Sequence, residues 1–177
     1  MNNIPEVIHG HITKHILEQD GSIPNNPKLP VIIYKGALRL HPDEGGDFIL
    51  DLFSKNNWTN GWKGGVYDYD HYHSVTHEVL AVTRGTADVI LGGPAGVCIE
   101  LTRGDVLVIP AGVSHRNSKS SEDFLCVGAY PEGADYDLKY GKEEELDLAL
   151  RSIPQVPVPT SDPVYGEEGP VLESWTL

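Results

Sequence analysis

Apolar and polar residues alternate along much of this chain with the two-residue period of half-buried β-strands. The alternation is clearest after Thr76, where Glu78, Leu80 and Val82 share one face and His77, Val79 and Ala81 the other. His11 to Glu18 and Pro30 to Leu40 also read as strands, divided by a turn-rich stretch from Asp20 to Pro27. The period changes from Pro42 to Lys55, where Phe48, Ile49, Leu52 and Phe53 fall at helical spacing. Asp43, Glu44 and Asp47 come early in that segment and Lys55 late, as a helix dipole favours. Asn57 to Gly65 reads as a loop whose Trp58 and Trp62 serve packing rather than a lid. From Val66 to Tyr130 the pattern is a series of short strands, with turns at Gly92-Gly93-Pro94, Arg103-Gly104-Asp105 and Pro110-Ala111-Gly112. Many short strands at this spacing predict an all-β sandwich or barrel.

The C-terminal third departs from that pattern. Glu143 to Arg151 predicts a helix, and Ile153 to Pro163, with Pro154, Pro157, Pro159 and Pro163, must be extended. Val164 to Leu177 contains Trp175 and several aliphatics, so it is expected to pack onto the barrel or onto a neighbouring subunit.

Composition narrows the function classes. At 177 residues the chain fits one domain, 1–177, with no internal repeat. Its formal charge of -13, with no cluster of Lys and Arg, argues against nucleic acid and against an anionic membrane surface. No run approaches the length of a membrane span, and Met1 to Glu6 lacks the basic and apolar regions of a signal peptide, so a cytoplasmic protein is expected. Cys98 and Cys126 lie in apolar runs and are expected to be buried, reduced thiols.

The chemistry concentrates in two stretches, Gly65-x5-His71-x-His73-x4-Glu78-x6-Gly85 and Gly104-x5-Pro110-x-Gly112-x2-His115. The first should arise by chance in roughly 3 of 10,000 such chains, which makes coincidence a poor explanation. On a strand His71 and His73 project together, and imidazoles so placed can share a metal. Glu78 joins them only if the chain turns within Ser74-Val75-Thr76. A straight strand would instead align His71, His73 and His77, a rival set with Glu78 behind it. The turn at Pro110-Ala111-Gly112 can bring His115 to the same place. Parity puts Tyr67 and Tyr69 on the face of His71 and His73, with Asp68, Asp70 and Tyr72 facing out. Val106 and Val108, or alternatively Leu107 and Ile109, line the second hairpin. The result is an apolar, aromatic pocket suited to a small organic molecule.

These two stretches resemble the paired signature motifs of the cupin superfamily. The similarity to its small single-domain members, the YjlB-like cupins, spans nearly the whole chain. It is carried by Ile23-Pro24-Asn25-Asn26-Pro27, Trp58 and Trp62, the run from His71 to Leu80, Gly128-Ala129-Tyr130-Pro131, and Asp162-Pro163-Val164-Tyr165-Gly166. The resemblance implies a double-stranded β-helix, or jelly-roll barrel, over about 30–131, with a C-terminal helix and packing arm over about 141–177. It implies His71, His73, Glu78 and His115 as ligands of one divalent metal ion, Fe(II) first, with Mn, Ni, Co or Zn as alternatives. One departure stands out. The family's second motif commonly has Asn four residues after its His, where this chain has Lys119. Asn117, two after His115, is the candidate substrate contact instead.

A nitrogen and carboxylate donor set without thiolate suits Fe, Mn or Ni. The reading is a metal-dependent enzyme of oxygenase type acting on a small molecule, with Tyr67, Tyr69 and His77 as candidate catalytic groups. A metal-dependent isomerase or cyclase, or a non-catalytic metabolite-binding protein, are the alternatives, and a homodimer is expected.

Overall fold

The computed structural model describes residues 4–176; Met1, Asn2, Asn3 and Leu177, which entered the reading of the two ends, lie outside the described residues. The chain runs β1 (Glu6–Val7), β2 (His11–Leu17), β3 (Asn26–Lys35), β4 (Leu38–Arg39), α1 (Gly46–Lys55), β5 (Trp58–Gly64), β6 (Glu78–Arg84) and β7 (Thr86–Leu91). It continues through β8 (Val97–Thr102), β9 (Val106–Ile109), β10 (His115–Ser120), β11 (Leu125–Pro131), α2 (Glu143–Ser152), a 3-10 turn (Ile153–Gln155) and α3 (Pro170–Ser174). A six-stranded sheet in the order β2-β3-β9-β6-β11-β5 faces a three-stranded sheet, β10-β7-β8, and β1 pairs with β4. Every one of these pairings is antiparallel. The fold is the all-β jelly roll.

Two apolar layers hold it together. Inside the sandwich, Val31, Ile33, Leu80, Val82, Leu107 and Ile109 of the large sheet meet Ala87, Val89, Leu91 and Leu101 of the small one. On the outer face, Ile32, Val79, Ala81, Val106 and Val108 are covered by Ile49, Leu52 and Phe53 of α1 and by Val164, Val171 and Trp175 of the C-terminal arm. Strands β3, β6 and β9 are therefore buried on both faces, which explains their nearly continuous apolar sequence. Of the two alternatives for the second hairpin, Leu107 and Ile109 face inward, level with Leu80 and Glu78.

The arm packs onto its own barrel. Trp175 is 2% exposed and its indole N–H donates to the Pro30 carbonyl at 2.9 Å. Burial of a side chain this large is worth on the order of 3 kcal/mol. Asp162, fully buried, accepts from the Tyr34 hydroxyl (2.6 Å) and from the backbone N–H groups of Val164 (2.9 Å) and Val171 (3.1 Å).

Several expectations change. The stretch from Asn57 to Gly65 holds strand β5 rather than a loop, because it pairs along the β11 edge. Asn60, at φ 57°, breaks the register between Gly128 and Tyr130. That one-residue slip sends Trp58 into the outer layer and Trp62 toward the interior, although four residues separate them. Helix α1 begins at Gly46, four residues later than expected, after turns at Pro42 and Asp43. Strand β3 reaches back to Asn26 and ends at Lys35, with Gly36 (φ 65°) separating it from β4. Cys98 is exposed, since β8 is an edge strand whose outer face meets solvent. Cys126 is buried as expected; burial, aided by Glu78, pushes its thiol up to about 12, so it stays protonated.

Candidate metal centre

The local backbone explains how the donors meet. The chain bends at Ser74 and Val75, and β6 then opens with Glu78 on the inner face. Upstream of the bend, His71 forms an antiparallel bridge with His115 at the start of β10; the His115 N–H donates to the His71 carbonyl at 2.9 Å. The Gly112 N–H donates to the His73 carbonyl at 2.8 Å. Gly112 has φ 94°, and a Cβ there would lie 2.4 Å from the Asn25 carbonyl oxygen, so the motif needs glycine at this position.

His73, Glu78 and His115 each offer a donor atom within 4.8 Å of the others'. His73 Nε2 lies 3.6 Å from one Glu78 oxygen and His115 Nε2 lies 3.4 Å from the other. Donors bound about 2.1 Å from one ion sit roughly 3.0 to 3.4 Å apart at octahedral to tetrahedral angles, so a small contraction closes this set on a metal. All three side chains are buried. His71 falls outside the mutually close trio, yet its ring centroid is 4.1 Å from that of His115.

The proton positions follow from the partners of Nδ1. His71 Nδ1 faces the Tyr69 carbonyl at 3.0 Å, His115 Nδ1 faces the Val113 carbonyl at 3.1 Å, and His73 Nδ1 faces the Asp137 carbonyl. A carbonyl only accepts, so each Nδ1 carries a proton and each Nε2 is the nitrogen left to bind a cation. Two such nitrogens aimed at a buried carboxylate are repulsive unless a proton or a metal lies between them. The titration directions record that demand. Burial alone would lower His73, but its contact with Glu78 raises it above the ordinary imidazole value. Burial opposes charge on Glu78, yet the facing His115 and His73 rings hold its carboxyl well below the usual range, as a cation placed there would. Burial and the neighbouring His115 push His71 down to about 3, so it stays neutral and able to ligate.

The rival set fails. His77 points to the opposite face of β6, where its Nδ1 accepts from the Ala111 N–H at 2.9 Å and its Nε2–H donates to the Pro157 carbonyl at 3.1 Å. Its ring lies 4.6 Å from that of Trp175. His77 therefore bolts the turn before His115 to the C-terminal arm, and it takes no part in the centre.

A cavity of about 350 Å³ opens over the donors, lined among others by Trp62, Tyr67, Leu80, Tyr130, Tyr136 and Leu138. Tyr67 is at its mouth, 54% exposed, and Tyr69 stacks on Tyr67 without lining the cavity. Strand parity does not hold over 66–70, because that segment is irregular rather than a strand. It fails differently at Tyr72, which faces away from the donors but is buried against Ala111, Ala149 and Ile153 under α2. Asn117 does not line the cavity; its Nδ2 donates to the Ser120 hydroxyl at 3.0 Å, beside the register shift before Lys119.

Three contributors escaped the sequence reading. Asp137 receives hydrogen bonds from the Ser74 N–H (2.7 Å) and hydroxyl, while its carbonyl holds His73. Lys139 and Tyr72 exchange both backbone bonds, so 137–139 straps the ligand segment. Tyr130 accepts from the Trp62 indole N–H at 3.0 Å, and burial together with the nearby Glu78 charge pushes its hydroxyl's pKa up. A Cβ on Gly128 would lie 2.4 Å from the Trp62 ring, so glycine lets that ring lie across β11 and reach Tyr130. The separation of 63 residues between Ser74 and Asp137 leaves no local pattern to find. Tyr130, at the end of an apolar strand, offered the only signal.

The cupin domain family matches residues 61–127, which span both motifs. "Uncharacterized protein YjlB" of Bacillus subtilis (strain 168) is 42% identical over 161 residues, 91% of this chain and 94% of the relative. The chain belongs to the YjlB-like cupins. Among solved structures, the 3,4-ketoisomerase QdtA of Thermoanaerobacterium thermosaccharolyticum is 18% identical at a TM-score of 0.45, covering 79% of this chain and 94% of that one. Acireductone dioxygenase of Bacillus anthracis is 14% identical at a TM-score of 0.41, covering 57% of this chain and 71% of that one. The likeness to both is one of fold. No helix among the described residues is long and apolar enough to cross a membrane.

Proposed function

We propose that this cupin is a metal-dependent enzyme of oxygenase type acting on a small organic molecule. His73, Glu78 and His115 hold one divalent ion, with His71 as the fourth ligand; Fe(II) is the first choice and Mn, Ni, Co or Zn the others. The observation that carries this reading is the pair of Nε2 atoms aimed at the buried Glu78 carboxylate, an arrangement that calls for a cation. When bound, such an ion supplies Lewis acidity and, if iron, redox access to dioxygen at its open positions. The chain's own residues do the rest. The carbonyls of Tyr69, Val113 and Asp137 fix the ring orientations, and Tyr130, held by the Trp62 indole N–H, lines the cavity along with Glu78. The apolar lining keeps bulk water from the donors. Residues 1–177 form a single cupin domain in this reading, which functions as a cytoplasmic homodimer.

Dioxygen consumption by the iron-loaded protein, assayed with phenols and keto acids, tests the proposal. Substrate-dependent uptake that His115→Ala abolishes supports it. A protein that binds its ion and an organic ligand but consumes no dioxygen and leaves the ligand unchanged is a binding module, and the enzyme reading falls.

A further inference from the structure

The mouth of the cavity is built from ordered but exposed aromatic rings. Tyr67 stacks on Tyr69 with centroids 4.9 Å apart, and Tyr130 stacks on Tyr136 at the same separation. The first pair meets His71 edge-on, with Tyr67 at 5.1 Å, and the second meets His73 edge-on, with Tyr136 at 5.2 Å. Each pair is thus packed against a donor histidine, yet Tyr67 and Tyr136 remain 54% and 52% exposed. Tyr34, Phe53, Trp58, Tyr72 and Trp175, by contrast, are sunk into its apolar layers. Rings held in a stacked row and left half in water present π-faces to something that arrives from solvent.

Charge narrows what that is. Apart from the histidines and tyrosines, the ionisable residues that line the cavity are Lys63 and Glu78. The Lys63 ammonium is engaged by Asp47 at 2.5 Å. Among the described residues, then, the one Lys or Arg that lines the cavity is ion-paired, Glu78 lies among the lining groups, and the whole chain carries a formal charge of -13. Without a bound metal ion, a phosphate or carboxylate entering here would lose water and gain little counter-charge from the protein walls. Val66, Leu80 and Leu138 complete an apolar lining, and about 350 Å³ lies at the small end of ligand cavities, which run from roughly 300 to 1,000 Å³.

We propose that this cavity takes a planar, uncharged aromatic molecule, gripped by Tyr67 and by the Tyr130/Tyr136 stack and presented to the donor set below. The proposal deepens the function above by naming its substrate class, and it rests on that reading for the chemistry that follows binding. The grip itself belongs to the tyrosines and needs no metal.

The test is calorimetric titration with two probes that share a ring and differ in charge, 2-naphthol and 2-naphthyl phosphate, on metal-free and metal-loaded protein. The expected result is saturable 2-naphthol binding, with the phosphate at least about tenfold weaker on the metal-free protein. Tyr67→Ala and Tyr136→Ala each weaken 2-naphthol about 3- to 10-fold, the range for one stacking partner, while Tyr67→Phe and Tyr136→Phe retain it. Equal or tighter binding of the phosphate to the metal-free protein overturns the proposal, as does unchanged 2-naphthol binding in both alanine variants. Alanine variants that dissociate a dimer without altering 2-naphthol affinity also overturn it, because the rings are then a subunit contact. Metal analysis of the same samples separates the two proposals. Tyrosine-dependent 2-naphthol binding without metal uptake leaves this inference standing and sinks the metal reading. Stoichiometric metal with no 2-naphthol binding does the reverse.

Discussion

Acid should unfold this protein partly through His77, a residue outside the metal centre. The side chain is 1% exposed and accepts a hydrogen bond from Ala111 through an unprotonated Nδ1. Protonating that nitrogen breaks the bond and leaves a charge beneath Trp175 and Pro157. Burial is the main cause, and it pushes the folded-state value down to about 4, against 6.5 for a free imidazole. Because the folded value is depressed, the unfolded chain takes up the proton first as pH falls. Stability is complete above about 6.5 and is lost progressively as pH drops toward 4. The linkage amounts to about 2.5 kcal/mol between pH 7 and pH 4.5. His77→Ala removes this titration and also strands the Ala111 N–H and Pro157 carbonyl, which costs about 2–5 kcal/mol at pH 7. Urea unfolding in EDTA at both pH values reads the effect free of metal linkage. The gap between wild type and variant should narrow by about 2.5 kcal/mol at pH 4.5. A gap of constant width at the two pH values refutes the argument.

Asp137→Ala should loosen the turn that carries His73 and weaken the metal about 10- to 100-fold, as loss of a residue supporting a ligand does; competition with a fluorescent chelator measures it. The fold should survive, since Asp137 lies outside both apolar layers. Gly128→Ala should push Trp62 off β11, costing about 1–3 kcal/mol in urea unfolding and shifting Trp emission as the bond to Tyr130 breaks. An unchanged emission spectrum in that variant would show that the ring has room to spare.

The sequence was most legible where one local rule decided the outcome. Alternation after Thr76 placed Glu78 inward and His77 outward, and the required bend appears at Ser74 and Val75. The burial of Trp175 followed from its cost if exposed. Legibility failed where position depends on a partner far along the chain. Strand β5 looks like a loop because Asn60 and Gly61 read as turn residues, and only pairing with β11 makes them a bulge in a strand. Tyr67 and Tyr69 obeyed no strand parity because Tyr67 is held by a single backbone bond from Asn117 rather than by a ladder. The strap from Asp137 to Lys139 forms through contacts with 72–74 that no periodicity encodes. Cys98 looks like a core residue until the outer face of β8 is known to be open.

Metal analysis of the chain and three variants tests the central claim most directly. Protein purified without added metal is incubated with Fe(II), Mn, Ni, Co or Zn, freed of excess ion, and measured for bound ion per chain and for folding by circular dichroism. Wild type should hold about one ion per chain, as a single site of this donor set requires. His115→Ala and Glu78→Gln should remain folded and lose it, whereas His77→Ala should be the less stable protein and keep it. A wild type that takes up none of the five ions, or a Glu78→Gln that holds its ion while His77→Ala does not, contradicts the account.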